Sequence, residues 1–185
     1  MTRILPLLTL LLLPGLASCA FIFQPTPPAP SRAAASPPPA QVLRYETIDG
    51  GAESAYGWNP GTPGPTEPQV VVLRSRVEFN DFWARHHASR SPLPPLPTVD
   101  FKEAMVVAVL DAVRPSGGYQ VTVRQVEEGI NTVWVAVDRT VPGPGCFTSA
   151  VLTRPYQVLT MKLTNLSISP QFFDVKRDCA AAEPK

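Results

Sequence analysis

The stretch AMVVAVLDAV, residues 104–113, decides the fold. A continuous run of this length, rich in valine and almost wholly apolar, reads as a strand buried on both faces. Such a strand lies inside a sheet with further material packed above and below it. The next residues, RPSGGY at 114–119, mark a turn. Beyond it Tyr119, Val121 and Val123 alternate with Gln120, Thr122 and Arg124, and Val133, Val135 and Val137 alternate with Thr132, Trp134 and Ala136. Period two of this kind predicts half-buried strands. With a turn at 128–130, these three consecutive strands are expected to form an antiparallel meander.

Two more strands follow at 156–163 and 172–175. On the N-terminal side, 42–48 and 70–73 read as strands separated by a Gly/Pro-rich loop at 49–68. Tyr56 and Trp58 in that loop are placed either over the core or in a contact patch. One helix interrupts the pattern. Ser75 and Glu78 stand at the spacing of a capping box, and Phe79, Phe82, Trp83 and His86 follow at i, i+3, i+4, i+7 as one amphipathic stripe. Arg85, His86, His87 and Arg90 suit the negative pole of the helix dipole, and the prolines from Pro92 to Pro97 prevent continuation. The expected class is α+β and β-dominated: an antiparallel sheet, small barrel or sandwich of about six to seven strands with one amphipathic helix.

The 185-residue chain carries more than this domain. Arg3 precedes an apolar run over 4–16, too short to span a bilayer, for which about 20 residues are needed, and of the length of a signal-peptide core. The run ends in Leu16-Ala17-Ser18-Cys19, which resembles the lipobox of bacterial lipoproteins. That resemblance implies cleavage after Ser18 and a diacylglyceryl group on Cys19, an anchor strengthened by each buried CH2. Residues 24–40, with seven prolines among small residues, favour an extended spacer of about 50 Å. The expected organisation is a signal peptide at 1–18, a lipidated cysteine and Pro-rich linker at 19–40, and a globular domain at 41–185. The location implied is the cell envelope, on the extracytoplasmic face of a bacterial membrane.

Sixteen basic and fifteen acidic residues nearly cancel, without a cluster of either sign. Nucleic-acid binding, which calls for a basic stripe, is excluded. In an exported protein Cys146 and Cys179 form an even pair, best read as a disulfide, with two free thiols or a metal site as the competing readings. Metal is disfavoured because only His86 and His87 supply imidazoles, and adjacent helical residues point about 100° apart. A Ser–His–Asp arrangement would have to use one of those two histidines, and no G-x-S-x-G elbow occurs. The acidic residues show no paired spacing, and no phosphate-binding or dinucleotide-binding loop is found. No catalytic residue and no cofactor is assigned, and the chain reads as a non-enzyme. The loop Arg114, Pro115, Ser116, Gly117, Gly118 and Tyr119 is read either as a hairpin connection with Tyr119 packed inward or as a binding loop. Val141 to Cys146, VPGPGC, is a second rigid loop of the same kind.

The order of S-x-x-E-F-x-x-F-W (Ser75 to Trp83), KEAMVVAVL, RPSGGYQVTV, PGPGC and RPYQVL resembles the PrcB C-terminal domain family, over about residues 69–175. The family takes its name from an accessory lipoprotein of a surface protease complex. The resemblance implies a non-catalytic module that binds and stabilises an extracytoplasmic protease, tethered to the membrane through Cys19. A protease inhibitor or an envelope hydrolase is the alternative.

Overall fold

The computed structural model describes residues 40–59 and 61–179. The segments expected to be a signal peptide (1–18) and a lipidated cysteine with its linker (19–40) lie, up to residue 39, outside the described residues. No described helix is long and apolar enough to cross a membrane.

Among the described residues eight strands and one helix follow one another: β1 (Gln41–Val42), β2 (Tyr45–Gly51), β3 (Gln69–Leu73), α1 (Arg76–His86), β4 (Ala104–Leu110), β5 (Gln120–Glu128), β6 (Thr132–Pro142), β7 (Tyr156–Lys162) and β8 (Ser167–Arg177). They form two four-stranded sheets, ordered β1-β5-β6-β8 and β2-β7-β4-β3. Neither closes into a barrel. The central position expected for residues 104–113 is met by β4, which pairs with β7 on one side and β3 on the other. Met105, Val107 and Val109 face the other sheet, against Val121, Val123, Val133, Val135 and Val137. Val106, Ala108 and Leu110 face the helix, against Phe79, Phe82 and Trp83. The described residues form a sandwich with a helix as a third layer.

The helix is built as its sequence dictates. Ser75 caps it, accepting a hydrogen bond from the Glu78 N–H, while the Glu78 carboxylate accepts from the Ser75 N–H. The whole stripe Phe79, Phe82, Trp83 and His86 is buried. Each of the three large hydrophobic side chains contributes roughly 1.5–3 kcal/mol by leaving water.

Several expectations are corrected. There are eight strands rather than six or seven, because 42–48 is not one strand. The chain leaves the first sheet after Val42, buries Leu43 between the sheets, and enters the second at Tyr45. The expected meander is also absent. The strand at 104–113 ends at Leu110, and β5 and β6 belong to the opposite sheet, where they form an antiparallel hairpin. Alternation reveals a strand's buried face but not which sheet supplies it. Finally, β6 and β8 run parallel, with Thr132 opposite Ser167 and Pro142 opposite Arg177. The chain crosses to the other sheet as β7 between them, so the return strand has the same direction.

Cys146 and Cys179 are joined by a disulfide. It ties the end of edge strand β8 to the loop leaving β6, beside hydrogen bonds from Gly143 N–H to Arg177 O and from Cys146 N–H to Gly143 O. The bridge closes a separation of 33 residues, for which chain entropy predicts about 3–4 kcal/mol. Replacing both cysteines with serine is therefore expected to lower the unfolding free energy by that amount in a denaturant titration. Amide exchange is expected to rise first at 175–179, with β4 and β7 remaining protected.

Candidate functional site

The motif residues singled out in the sequence gather at the end of β4. Asp111, fully buried, is held by two charge-assisted hydrogen bonds from Arg114, Nε to Oδ2 and Nη2 to Oδ1, each 2.7 Å. Buried Arg154 donates through Nε to the Asp111 carbonyl at 3.1 Å, through Nη2 to Gln69 Oε1 at 2.8 Å, and through Nη1 to the Tyr56 carbonyl. Burial lowers the Arg154 pKa and the Asp111 charge opposes that. The RPSGGY and RPY motifs are thus halves of one polar assembly around Asp111. It also fixes the 49–68 loop, in which Tyr56 packs on Phe82 and Trp58 is buried.

This geometry replaces the hairpin reading of residues 114–119. The segment crosses from one sheet to the other and lies along the loop between β6 and β7. Arg114 and Thr153 exchange two backbone hydrogen bonds, at 2.7 and 3.0 Å, and Gly117 N–H donates to Ser149 O at 2.9 Å. Ser116 O accepts from the Thr153 hydroxyl. Tyr119 lies under the Arg114 guanidinium, 5.3 Å from ring centroid to Cζ, and is half-buried. Gly118 has φ +86, and a Cβ there would stand 2.8 Å from Thr148 Cγ2. Of the six candidate residues Pro115 and Gly118 are exposed. The surface beside them belongs to the opposing loop, where Phe147 is 106% exposed and Val151 and Leu152 are exposed as well.

A second constellation lies at the same end of the sheet and was missed in the sequence. Asp49 on β2, His86 and His87 at the end of α1, and Tyr156 on β7 converge. A bulge in β2, between Thr47 and Asp49, inserts Ile48 and turns both Ile48 and Asp49 toward the helix. The expectation that adjacent histidines diverge by 100° fails for a local reason. The helix ends at His86, and His87 is the C-cap, with φ −102 and ψ 19. Both rings are fully buried instead of meeting solvent at the dipole's negative end. Asp49 Oδ2 lies 3.4 Å from His86 Nε2, 3.0 Å from His87 Nε2 and 3.1 Å from the Tyr156 hydroxyl that donates to it. Neither ring nitrogen is aligned for a hydrogen bond with that oxygen. One donor atom from each of Asp49, His86 and His87 falls within 4.8 Å of the others, a grouping able to hold a metal ion.

On the far side of His86, Ser54 Oγ lies 2.7 Å from Nδ1. The row Ser54–His86–Asp49 has the composition of a hydrolytic triad. Two features separate it from an activated nucleophile. Ser54 is 1% exposed, and its hydroxyl oxygen also accepts the Tyr56 N–H at 3.3 Å. A cleft of about 370 Å³ lies beside it, lined in part by Trp58, Val151 and Leu152.

Burial pushes the His87 imidazole down to about 4, aided by its His86 neighbour and opposed by Asp49. Burial raises Asp49, but the close His86 ring and the Gly50 N–H outweigh it, and its pKa is lowered. Burial pushes the Tyr156 phenol up to about 12, reinforced by the Asp49 charge.

Residues 105–162, from β4 through β7, match the PrcB C-terminal family model, which assigns this segment to that family. The match is narrower than the span 69–175 read from the motifs, so the capped helix and β8 lie outside it. No curated protein and no solved structure matches the chain.

Two outcomes follow from this geometry. Gly118→Ala forces a side chain into the left-handed region at about 1–2 kcal/mol, and the Thr148 contact adds to that. A thermal melt is expected to show the loss, whereas Pro115→Ala, at an exposed position, is expected to leave it nearly unchanged. The second outcome concerns pH. His87 has a folded pKa below its unfolded value of 6.5, so the stability it carries is complete above pH 6.5 and is lost as pH falls toward 4. The slope approaches about 1.4 kcal/mol per pH unit there. Urea titrations in the presence of a chelator are expected to show that slope, and His87→Gln to flatten it.

Proposed function

We propose that this protein is a lipid-anchored envelope lipoprotein whose β-sandwich is a non-catalytic assembly module for an extracytoplasmic protease complex. The apolar leader ending at Cys19 and the proline-rich spacer support the anchor. The PrcB C-terminal segment supports the link to a protease complex. The observation that carries the binding role is the loop between β6 and β7. Phe147, Val151 and Leu152 stand exposed on a backbone held by the disulfide on one side and by Arg114 and Gly117 on the other.

A large apolar side chain held rigidly in water gains when a partner covers it, and little ordering entropy opposes its docking. Aromatic anchors of this kind dominate interface energetics. The loop at 114–119 forms the polar flank of that surface, with Arg114 and Tyr119 stacked beside the glycines. A partner protease with a matching apolar groove would engage both.

The test is to purify the lipidated full-length protein from native membranes and to assay co-purifying proteolytic activity. Co-purification of an envelope protease whose half-life shortens when this protein is deleted is the expected result. Phe147→Ser is expected to weaken that association by roughly 10–100-fold, the range for losing an anchor worth about 1.4–2.8 kcal/mol, without lowering the melting temperature. A protease with unchanged half-life and no association overturns the reading. Dose-dependent inhibition of purified proteases would point instead to an inhibitor.

A further inference from the structure

We propose that Asp49, His86 and His87 form a binding site for one divalent transition-metal ion of the zinc class, which fastens the end of α1 to β2. The inference is independent of the envelope role. It starts from the buried nitrogens. His86 Nε2, His87 Nδ1 and His87 Nε2 are all buried without a hydrogen-bond partner. Buried polar groups left this way cost about 1–3 kcal/mol each, and three in one place within a well-packed core call for an explanation.

The two spacings from the shared carboxylate oxygen suit a metal. Ligands about 2.0–2.1 Å from a common ion, at tetrahedral or octahedral angles, stand roughly 2.9–3.4 Å apart. Asp49 Oδ2 lies 3.0 Å from one Nε2 and 3.4 Å from the other. The misalignment of the ring nitrogens with that oxygen has the same reading. An N–H meant for the carboxylate points at it, whereas a lone pair meant for an ion points beside it.

Outer-shell hydrogen bonds support two of the three ligands, His86 and Asp49. Ser54 Oγ lies 2.7 Å from His86 Nδ1; in the tautomer whose Nδ1–H donates to that oxygen, the Nε2 lone pair is free for the ion. The remaining carboxylate lone pairs are held by the Tyr156 hydroxyl at Oδ2, 3.1 Å, and the Gly50 N–H at Oδ1, 2.8 Å. Arg90 donates to the Tyr156 oxygen at 3.2 Å, locking the phenol in place. Packing fixes the rings themselves: Phe82 stacks on His86 with planes 12° apart, and Trp83 meets His87 edge-on with centroids 4.4 Å apart. Two imidazoles and one carboxylate suit zinc, cobalt or iron(II), while calcium and magnesium prefer oxygen alone and copper(I) prefers sulfur. The Asp49 side chain is 19% exposed, so solvent reaches the open side of the site and provides an entry path.

The experiment uses full-length protein without a histidine tag, stripped by chelator and dialysed against Co2+ or Zn2+. Binding of one Co2+ per chain, with visible ligand-field bands that Zn2+ displaces, is the expected result. The melting temperature is expected to rise by several degrees at a free Zn2+ concentration about a hundred times Kd. Asp49→Asn and His87→Gln are expected to weaken binding at least tenfold, and Ser54→Ala, which touches only the outer shell, by about 10–100-fold. Stripped wild-type protein that takes up no Co2+ and melts at the same temperature with or without Zn2+ overturns the proposal, whether or not the variants fold. So does Co2+ binding that Asp49→Asn leaves unchanged.

Discussion

The double-sided burial of β4 is the constraint from which the rest of the structure follows. Its side chains from Met105 to Leu110 are all completely covered, so each face requires its own layer. The valines of β5 and β6 supply one and the aromatic stripe of α1 supplies the other. A strand so placed has no polar face and cannot tolerate an edge position. It must be paired on both sides, which β3 and β7 accomplish in antiparallel register. The two-sheet arrangement, the position of the helix and the paths of the connecting loops all serve that burial.

Where the apolar run stops, charge takes over abruptly. Leu110 is followed by Asp111, whose carboxylate is as buried as the valines before it. An ionised group in that position is tolerated only with close partners, and the chain provides Arg114 three residues later. Arg154, also buried, uses the Asp111 backbone carbonyl in place of its carboxylate, and Arg139 approaches the carboxylate at 3.6 Å. The sequence features that mark the family segment are therefore requirements of one buried junction. The glycines at 117 and 118 let the opposing loop come close, and the arginines neutralise and orient.

What could be read from the sequence follows the range of the interaction involved. The capping box of Ser75 and Glu78 and the stripe from Phe79 to His86 were legible because both depend on residues within two helical turns. The alternation in β5 and β6 was legible because a strand's own pleat sets it. The disulfide was legible by parity of the two cysteines beyond the apolar leader. Partition among sheets was not, because Leu43 looks the same whether it continues a strand or turns between two layers. The direction of β8 was hidden for the same reason, since nothing in Ser167 to Arg177 records that β7 intervenes in the other sheet. The Asp49–His86–His87 cluster needed two irregularities at once, a bulge in β2 and a helix ending at His86. Regular geometry applied to either element separates these side chains.

These irregularities occur at one end of one sheet. Gly51 pairs with Tyr156, and Tyr156 pairs with Leu110, so the ends of β2 and β4 and the start of β7 lie side by side. The Ala55 N–H bonds to the His86 carbonyl and the Arg154 N–H to the Ala52 carbonyl, so the 52–58 loop bridges the histidine cluster and the arginine junction. Val151 and Leu152, from the loop that presents Phe147, line the cleft next to Ser54. The sandwich gains nothing in stability from buried imidazoles, a buried aspartate or an exposed phenylalanine. Concentrating all three where connecting loops meet costs folding energy at a single location. A scaffold that gathers these costly groups at one rim, and braces them with a disulfide and the buried Arg154, has the physical form of a rigid platform carrying one working edge.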